Sequence, residues 1–403
     1  MTALSSALRS PRPIGKGRCS SVGPVVCFSL RFDNPYVQGG LGDMLALEFH
    51  LRHLVKRLNP ARLILITDAG VAARHGEFFR QHSVVSELVT CPGVGERVLW
   101  RWLRFYWRMR KYRCSLAIIG GVRNPFAVHA WLCGIPQRVG FALGRLERYF
   151  LTRRVTVKLH ESGESDLTEY VNAFTEAMGL APTAELAITE PQLRYRTASL
   201  PFLCAPRPIV AVHVGGSHHY NRRWPPDRYT EVCRRVIREL GGSVYLIGGP
   251  DEREECETLR QVIATGPDEA ATVLNLAGLP LDHSATYIAN SDVFVGNDSG
   301  VLHVAAALAV PIVGLFGPSN PGIWRRAYPT MRVVSRPYGC HRGNFAGIRH
   351  RVRQTSCLAN RCRYSFDPAN RSYPVCLEAV TVEEVWQQVR AALDSTMSRA
   401  NSR

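Results

Sequence analysis

The chain lacks any apolar run long enough to span a bilayer, which argues against a bundle of membrane-spanning helices. Its 403 residues are 46% hydrophobic and 21% charged, and the mean hydropathy of −0.09 is ordinary for a globular protein. Residues 1–24 contain serine, proline and basic residues, but they lack the continuous apolar stretch of a secretory signal. We therefore expect a globular protein with a loose head at 1–24.

The chain also lacks a regular disulfide framework, because its 12 cysteines are scattered and a chain of this length does not need one. This favours a reducing cytoplasm. Four thiols in a loop-rich C-terminal stretch could form a tetrahedral site for structural zinc or iron, although their spacing is looser than that of Cys-x-x-Cys pairs. The alternative is a set of free or buried thiols. The four residues are Cys340, Cys357, Cys362 and Cys376.

Acidic residues are few, with 33 Asp and Glu against 50 Lys and Arg, so the formal net charge is +17. A surface of this sign attracts polyanions. Nucleic acid, anionic lipid and phosphorylated saccharides all satisfy that condition, so charge alone does not choose among them. No recognised nucleic-acid-binding motif occurs, and we expect no nucleic-acid partner.

The length exceeds what one hydrophobic core usually organises, so we expect two domains. Short β-rich runs alternate with helix-length segments, which predicts parallel α/β layers in both halves. The predicted strands are 25–30, 63–67, 116–120, 209–214, 243–247, 293–296 and 311–316. Between the halves the pattern loses its periodicity and collects prolines, as in an interdomain linker. The predicted segments are domains at 25–185 and 208–380, a linker at 186–207, and a C-terminal helix and tail at 381–403.

A cluster of glycines follows the first predicted strand, in the sequence GGLGD at 39–43. Gly40 and Gly42 would let the backbone approach a ligand closely, and Asp43 would stand at the start of the next helix. These residues are candidates for substrate binding and, for Asp43, catalysis. The alternative interpretation is that Asp43 only caps a helix.

A second motif, NDSGVLH at 297–303, follows an apolar strand and precedes a helix of small residues. Ser299 and Gly300 would supply backbone N–H groups at the helix N-terminus, where the dipole favours a phosphate. Asp298, at the carboxyl end of the strand, could hold sugar or ribose hydroxyls. His303 is a further candidate contact. The alternative is a capped turn, with His303 as an ordinary helix residue.

The third motif begins where the predicted strand 209–214 ends in a Gly-Gly-Ser turn that contains Gly215 and Ser217. Arg222 and Arg223 follow just before the next helix. Arginine matches phosphate oxygens with two parallel hydrogen bonds, so either side chain could neutralise a departing diphosphate. The alternative for a single arginine is a solvated surface position.

Taken together, these motifs resemble the heptosyltransferases of glycosyltransferase family nine. The resemblance runs from about residue 25 to 393, rests on GGLGDML, HVGGS with RRWP, LIGGPDE and GIPQRVGF, and is strongest across 274–321. It implies a GT-B fold, in which two Rossmann-like, doubly wound domains face a central cleft, the first on the acceptor side and the second binding the nucleotide sugar. It also implies an ADP-heptose donor, a lipid A–core glycolipid acceptor and an inverting reaction that needs no catalytic metal.

The family's roles carry over to individual positions. Asp43 matches the general base that takes the proton of the acceptor hydroxyl. Arg222 falls where many members have a lysine that stabilises the leaving diphosphate, so the charge is kept and the geometry differs. Asp298 matches the donor-sugar contact, and Ser299 and Gly300 match the phosphate-binding helix start. Some relatives also carry cysteines near the C-terminal thiols.

Two other functions stay open at this point. The same fold could use another nucleotide sugar or a protein acceptor such as an autotransporter, because the motifs specify donor phosphates better than the sugar or the acceptor. A non-enzymatic polyanion-binding protein is the other possibility, and it is suggested by the net charge.

A stretch at 101–113 is dense in both cations and aromatic residues. On a helix, four cations share one stripe, namely Arg101, Arg104, Arg108 and Lys111. The stripe is flanked on one side by Trp100, Leu103 and Trp107. This face could dock the chain on the cytoplasmic side of the inner membrane or on a phosphorylated acceptor. The alternative is a helix that packs its aromatic residues on the N-terminal sheet and leaves its basic side in solvent.

Overall fold

The chain divides into two compact units. The first contains Met1–Gln38, Leu47–Lys158 and Thr168–Leu186, and the second contains Gly39–Ala46, Leu159–Leu167 and Ala187–Arg403. The computed structural model describes residues 23–29, 40–93, 98–120, 124–142, 145–156, 167–182, 187–193, 200, 205–216, 222–324, 327–336, 362 and 373–401. Each unit is built around one six-stranded parallel sheet.

The first sheet has the order β3-β2-β1-β4-β5-β6. Its strands are β1 Val25–Ser29, β2 Arg62–Thr67, β3 Glu87–Thr90, β4 Leu116–Ile119, β5 Gln137–Gly140 and β6 Arg153–Arg154. The intervening helices are α1 Leu41–Leu58, α2 Ala69–His82, α3 Leu99–Tyr112, α4 Phe126–Leu132, α5 Arg145–Phe150 and α6 Leu167–Ala177. The central strands are apolar and almost wholly buried, as expected for a parallel sheet that helices cover on both faces.

The second sheet repeats this plan in the order β12-β11-β10-β7-β8-β9. Its strands are β7 Ile209–His213, β8 Ser243–Leu246, β9 Val273–Asn275, β10 Val293–Asn297, β11 Ile312–Phe316 and β12 Met331–Ser335. The helices are α7 Pro226–Leu240, α8 Arg253–Ile263, α9 Pro267–Thr272, α10 Leu281–Ala289, α11 Gly300–Ala307, α12 Val375–Glu378 and α13 Val382–Asn401. The strand order reverses between β7 and β10, which pair directly, and such a reversal opens a crevice beyond the carboxyl ends of the strands.

The helix α13 closes the core of the second unit. Its buried face includes Val385, Trp386 and Val389, which belong to the same hydrophobic cluster as the β7 and β10 side chains. A capping box stands at the start of this helix, since the Thr381 Oγ1 accepts from the Glu384 N–H at 3.3 Å and the Glu384 carboxylate accepts from the Thr381 N–H at 2.9 Å. This reciprocal pair satisfies two N–H groups that have no partner within the helix.

The predicted α/β class with two doubly wound parallel sheets is confirmed. All seven predicted strands are present, each within about two residues of its expected bounds. Five strands were missed: β3, β5, β6, β9 and β12. They lie away from the sheet centres and are short or of mixed polarity, so their sequences carry no continuous apolar run.

No helix of the described residues is long and apolar enough to cross a membrane. Of the four candidate metal ligands, Cys340 and Cys357 lie outside the described part of the chain. Cys362 is half-buried, and Cys376 is buried. Among the residues that the structure describes, no three metal-binding side chains lie together, so the structural metal stays a prediction.

Candidate active site

The candidate residues of the second and third motifs meet where β7 and β10 end. The two strands pair in parallel with Gly296 opposite His213, so both chains leave the sheet at the same edge. Beyond β7 lies the glycine turn with Gly215, and beyond β10 lie Asp298 and Ser299. Ser217 falls outside the described residues.

Asn297, the last residue of β10, ties these loops together. Its Nδ2 donates to the carbonyl oxygens of Val214 and Gly215 at 3.0 and 2.8 Å, and its Oδ1 accepts from the Trp224 N–H at 3.0 Å. The side chain is fully buried, where each unpaired polar group would be costly. The glycine turn and the segment that carries the two arginines are therefore held against one strand end. We did not single out this residue from the sequence, although an amide that closes an apolar strand was an available signal.

The two neighbouring arginines occupy different environments. The Arg222 Nη1 lies 3.8 Å from the Asp298 Oδ2, and 42% of the Arg222 side chain is exposed. The Arg223 guanidinium is only 17% exposed. It donates to the Glu255 Oε2 at 2.8 Å and to the Gly216 carbonyl at 3.3 Å. Arg222 thus presents its charge to solvent beside an acidic residue, whereas Arg223 fastens the glycine turn to α8.

A buried hydrogen-bonded chain lies beneath the glycine turn. The His213 Nδ1 is 3.0 Å from the Ser299 Oγ, and the His213 Nε2 is 3.1 Å from the Glu252 Oε2. Burial raises the pKa of Glu252, but the hydrogen bond and charge of His213, the Gly249 N–H and the nearby Arg223 together lower it to about 2. Glu252 is therefore a carboxylate that anchors His213, and His213 in turn anchors Ser299.

Glu252 also explains one glycine of the HVGGS motif. A Cβ atom on Gly215 would lie 1.6 Å from the Glu252 Oε1, closer than any non-bonded contact allows. The carboxylate can approach the strand end only because this position has no side chain. His213 and Glu252 were not among our sequence candidates. His213 lies in the HVGGS motif and Glu252 in LIGGPDE. The signal for His213 was a polar residue at the end of a buried strand.

The helix α11 begins at this edge, with Ser299 as its N-cap and Gly300 as its first residue. The first N–H groups of a helix have no partner within it and carry the positive end of its dipole. The Ser299 hydroxyl contacts His213 and makes no capping hydrogen bond to α11. This helix start is the predicted phosphate-binding element.

The glycine cluster of the first motif approaches the same helix start. The described residues 40–46, which include the start of α1, group by their contacts with the second unit. A Cβ on Gly42 would lie 2.6 Å from the His303 Cδ2, and one on Gly300 would lie 3.2 Å from the Leu41 Cβ. Asp43 follows directly, and its Oδ2 accepts from the Gly40 N–H at 3.1 Å. The candidate base therefore stands in the first turn of α1, next to the residue that meets α11.

His303 is a buried link in this arrangement. Its Nδ1 lies 2.8 Å from the Tyr328 hydroxyl, and its ring lies 4.3 Å from the Trp324 ring, centroid to centroid. Its Nε2 lies 3.7 Å from the Asp298 Oδ1. Burial lowers the pKa of His303, opposed by the charge of Asp298 and assisted by that of Arg222. Trp324 and Tyr328 were not predicted, because nothing in their local sequence connects them to the motif.

These features make the edge a candidate anion-binding site with an acid beside it. An exposed guanidinium and a helix N-terminus favour negative charge, and Asp298 offers carboxylate oxygens to hydroxyl groups. The glycines remove side chains that would otherwise separate the elements. Such a site suits a sugar that carries a phosphate or diphosphate group.

Comparison with known proteins agrees with this chemistry. The model of glycosyltransferase family 9 (heptosyltransferase) matches residues 126–344. Lipopolysaccharide heptosyltransferase 2 of Salmonella typhimurium is 31% identical over 317 residues, which cover 75% of this chain and 87% of that protein. Lipopolysaccharide heptosyltransferase 2 of Escherichia coli K12 is 29% identical over 318 residues with the same coverage. The solved structure of E. coli ADP-heptose lps heptosyltransferase II has a TM-score of 0.62 and 21% identity, covering 92% of this chain and 99% of that one.

The two doubly wound parallel sheets and their shared architecture with that structure define a glycosyltransferase fold of the GT-B type. The chain belongs to glycosyltransferase family 9, the heptosyltransferase family, and the resemblance seen in its sequence is confirmed.

Proposed function

We propose that this protein transfers heptose from ADP-heptose to an acceptor of the lipopolysaccharide-core type, with inversion at the anomeric carbon and without a catalytic metal or other cofactor. The names of the relatives support heptosyl transfer in lipopolysaccharide synthesis. The E. coli protein whose solved structure shares this fold is an ADP-heptose lps heptosyltransferase, which favours ADP-heptose as the donor. A cytoplasmic location, possible for a protein that uses a nucleotide sugar, stays a prediction.

The observation that carries the proposal is the exposed Arg222 guanidinium 3.8 Å from Asp298, beside the N-terminus of α11. A departing diphosphate gains negative charge as the bond between the sugar and the phosphate breaks. Arg222 and the N–H groups of Gly300 and its neighbours are preorganised donors for that charge. In this proposal Asp298 holds hydroxyl groups of the donor sugar.

Asp43 is the proposed general base. Its carboxylate accepts the proton of the acceptor hydroxyl while that oxygen attacks the anomeric carbon of the heptose. The new carbon–oxygen bond forms as the bond to the diphosphate breaks, and ADP leaves with the bonding electron pair. A single displacement of this kind inverts the anomeric configuration.

A transfer assay with ADP-heptose and a purified core acceptor tests the proposal. We expect Asp43→Asn to lower kcat by roughly 10²–10⁴-fold, because the variant loses its base, while ADP binding measured by calorimetry stays nearly unchanged. Asp394→Asn, at an exposed position of α13, is the matched control and should retain full activity. Retained turnover in Asp43→Asn would remove Asp43 from the role of base.

The same assay separates the alternatives for donor and acceptor. Transfer from a UDP- or GDP-sugar in place of ADP-heptose would contradict the proposed donor. Modification of a protein acceptor, with no transfer to the glycolipid, would contradict the proposed acceptor. Activity should survive treatment with EDTA, and a loss that Mg²⁺ restores would contradict the metal-free reaction.

A further inference from the structure

One surface of the first unit has no place in the proposed chemistry. The helix α3 buries Phe105 and Met109 in the core of that unit, and its opposite side is exposed. Four apolar residues of that exposed side are between 56% and 69% accessible: Leu99, Trp100, Leu103 and Trp107. We call these four residues the α3 face. The expectation that α3 packs its aromatic residues on the sheet therefore holds for Phe105 and is wrong for Trp100 and Trp107.

Cations border the α3 face. Arg104, Arg110 and Lys111 are all exposed, and the Lys111 Nζ lies 3.3 Å from the centroid of the Trp107 ring. Arg108, which the sequence assigned to the same basic stripe, is engaged elsewhere. Its Nη2 donates to the Glu87 Oε1 at 2.8 Å. On the surface of the helix, Arg104, Arg110 and Lys111 flank the α3 face.

The apolar surface continues from α3 onto the end of α4. The Arg110 Nη2 donates to the Leu132 carbonyl at 3.1 Å, which fixes the two helix ends beside each other. Trp131 and Leu132 are themselves exposed, at 53% and 37%. Large apolar side chains grouped in this way on a charged protein mark an interaction surface rather than chance exposure.

We propose that the α3 face docks the protein on an anionic lipid bilayer. Leu and Trp side chains would enter the boundary between headgroups and acyl chains, where tryptophan is favoured. Arg104, Arg110 and Lys111 would contact lipid phosphates, which attract basic residues close to the surface. Docking is a property of this helix and is measured without donor or turnover, so it can fail while the proposed function stands.

A bilayer fits these residues better than other occupants do. A second copy meeting the same face across a two-fold axis would bring the like charges of Arg104 and Lys111 together. A soluble phosphorylated saccharide would satisfy the cations, but it would leave Leu103 and Trp107 in water. Only a partner that is both apolar and anionic can contact both the apolar side chains of the α3 face and the cations beside it.

Sedimentation with lipid vesicles tests the proposal. We expect the full chain to bind vesicles of phosphatidylcholine mixed with phosphatidylglycerol and to bind phosphatidylcholine vesicles weakly. Replacing both Leu103 and Trp107 by Ser should lower binding at least about tenfold, because their burial is lost. Arg104→Ser should lower it about fivefold at low salt. The matched controls are Val262→Ser, an apolar residue of the second unit that is 47% exposed, and the exposed Arg74→Ser, and both should bind like the wild type.

Brominated lipids distinguish insertion from simple charge attraction. They should quench the tryptophan fluorescence of the wild type, and replacing Trp100 and Trp107 by Phe should remove most of that quenching. The proposal is overturned if the Leu103 and Trp107 variant binds anionic vesicles as the wild type does. It is also overturned if binding occurs without quenching, as for a polyanion site, or if the variant instead changes the oligomeric state in gel filtration.

Two measurements show whether the variants are correctly folded. Circular dichroism melts of the variants should match the wild type, since the replaced side chains are exposed. Transfer to a delipidated, soluble acceptor should also be unchanged, whereas transfer to an acceptor within vesicles should fall together with binding. Equal transfer to both acceptors by the variant would count against docking.

Discussion

At the scale of single residues, the candidate site separates side chains that can meet a ligand from side chains that hold the site together. Arg222 and Arg223 are adjacent in sequence, yet one is exposed beside Asp298 and the other is bound to Glu255. His213 and Glu252 are more deeply buried. Their hydrogen bonds join them to each other and join His213 to Ser299. Substitutions at these positions should therefore have different signatures.

Arg222 should act through its charge. We expect Arg222→Ala to lower kcat/KM by roughly 10²–10³-fold, the effect of removing one preorganised donor from a developing anion. Arg222→Lys should retain activity within about tenfold, because an ammonium keeps the charge and loses only the planar geometry. Steady-state kinetics of heptosyl transfer measure both, with Arg390→Ala at an exposed position of α13 as the control. Equal losses in the Ala and Lys variants would show that charge is not what Arg222 supplies.

Glu252 should make the free energy of unfolding depend on pH in the acid range. Its pKa in the folded protein is about 2, below the usual 4.5, so its contribution to the free energy of unfolding is complete above pH 4.5 and is lost as the pH falls toward 2. Glu252→Gln removes that contribution. We expect the difference in Tm between wild type and variant to be largest near neutral pH and to shrink below about pH 4.5.

Circular dichroism melts over that pH range measure the effect. Glu254→Gln, an exposed neighbour on α8, should differ from the wild type by the same small amount at every pH. A Tm difference for Glu252→Gln that stays constant down to pH 3 would contradict the assigned pKa.

At the scale of secondary-structure elements, glycines allow the starts of α1 and α11 to approach each other closely. Gly42 meets the ring of His303, and Gly300 meets Leu41. The elements that present Asp43 and the proposed phosphate-binding N–H groups thereby approach each other closely. A small displacement of either helix start would move the proposed catalytic groups relative to the substrate.

Gly42→Ala tests this approach. Because its Cβ would lie 2.6 Å from His303, we expect the variant to shift a helix start and to lower kcat/KM by roughly 10²-fold, as misplacements of about 1 Å do. Gly93→Ala is the matched control, since a Cβ there meets nothing within 4 Å and the residue lies outside the candidate site, and it should stay close to wild-type activity. Similar kinetics for the two variants would argue against the packing role of Gly42.

The elements also show why some parts of the fold were predictable. β1, β7 and β10 are buried on both faces and read as apolar runs, which the sequence displays directly. β6 has two residues, both arginine, and β12 is only half-buried. Strands of this kind are defined by hydrogen bonds to the neighbouring strand, and their own sequences do not show that pairing.

At the scale of the whole molecule, the net charge of +17 and the proposed donor site would both attract anions. A thermal-shift panel separates specific nucleotide binding from general polyanion binding. A ligand at about 100 times its Kd stabilises the folded state by about 2.7 kcal/mol, and the shift in Tm grows with affinity. Because ADP is part of the proposed donor, we expect it to raise Tm more than UDP, GDP or single-stranded DNA.

The ADP shift should weaken in Arg222→Ala and persist in Asp43→Asn. Those variants remove a proposed diphosphate contact and a proposed base, respectively. Stabilisation by DNA alone, with no response to ADP, would favour a polyanion-binding protein over the proposed transferase.

Much about this protein was determined by the sequence alone. Apolar runs with helix-length spacing established two parallel α/β layers, and glycine and acidic residues at strand ends indicated a site for a phosphorylated sugar. These features are local, so a linear reading detects them. That Arg222 lies beside Asp298 follows from the sheet, in which the parallel strands β7 and β10 pair and end at the same edge.

Only the tertiary structure decided which polar residues serve the site and which support it. Contacts between segments far apart in the chain decide three features. They form the hydrogen bonds of His213 to Glu252 and Ser299, they pair Arg223 with Glu255, and they determine which side of α3 is exposed. A helical periodicity shows that two faces exist, but packing determines which one is buried. In α3, Phe105 and Met109 pack in the core, whereas Trp100 and Trp107 are exposed and can contact a partner.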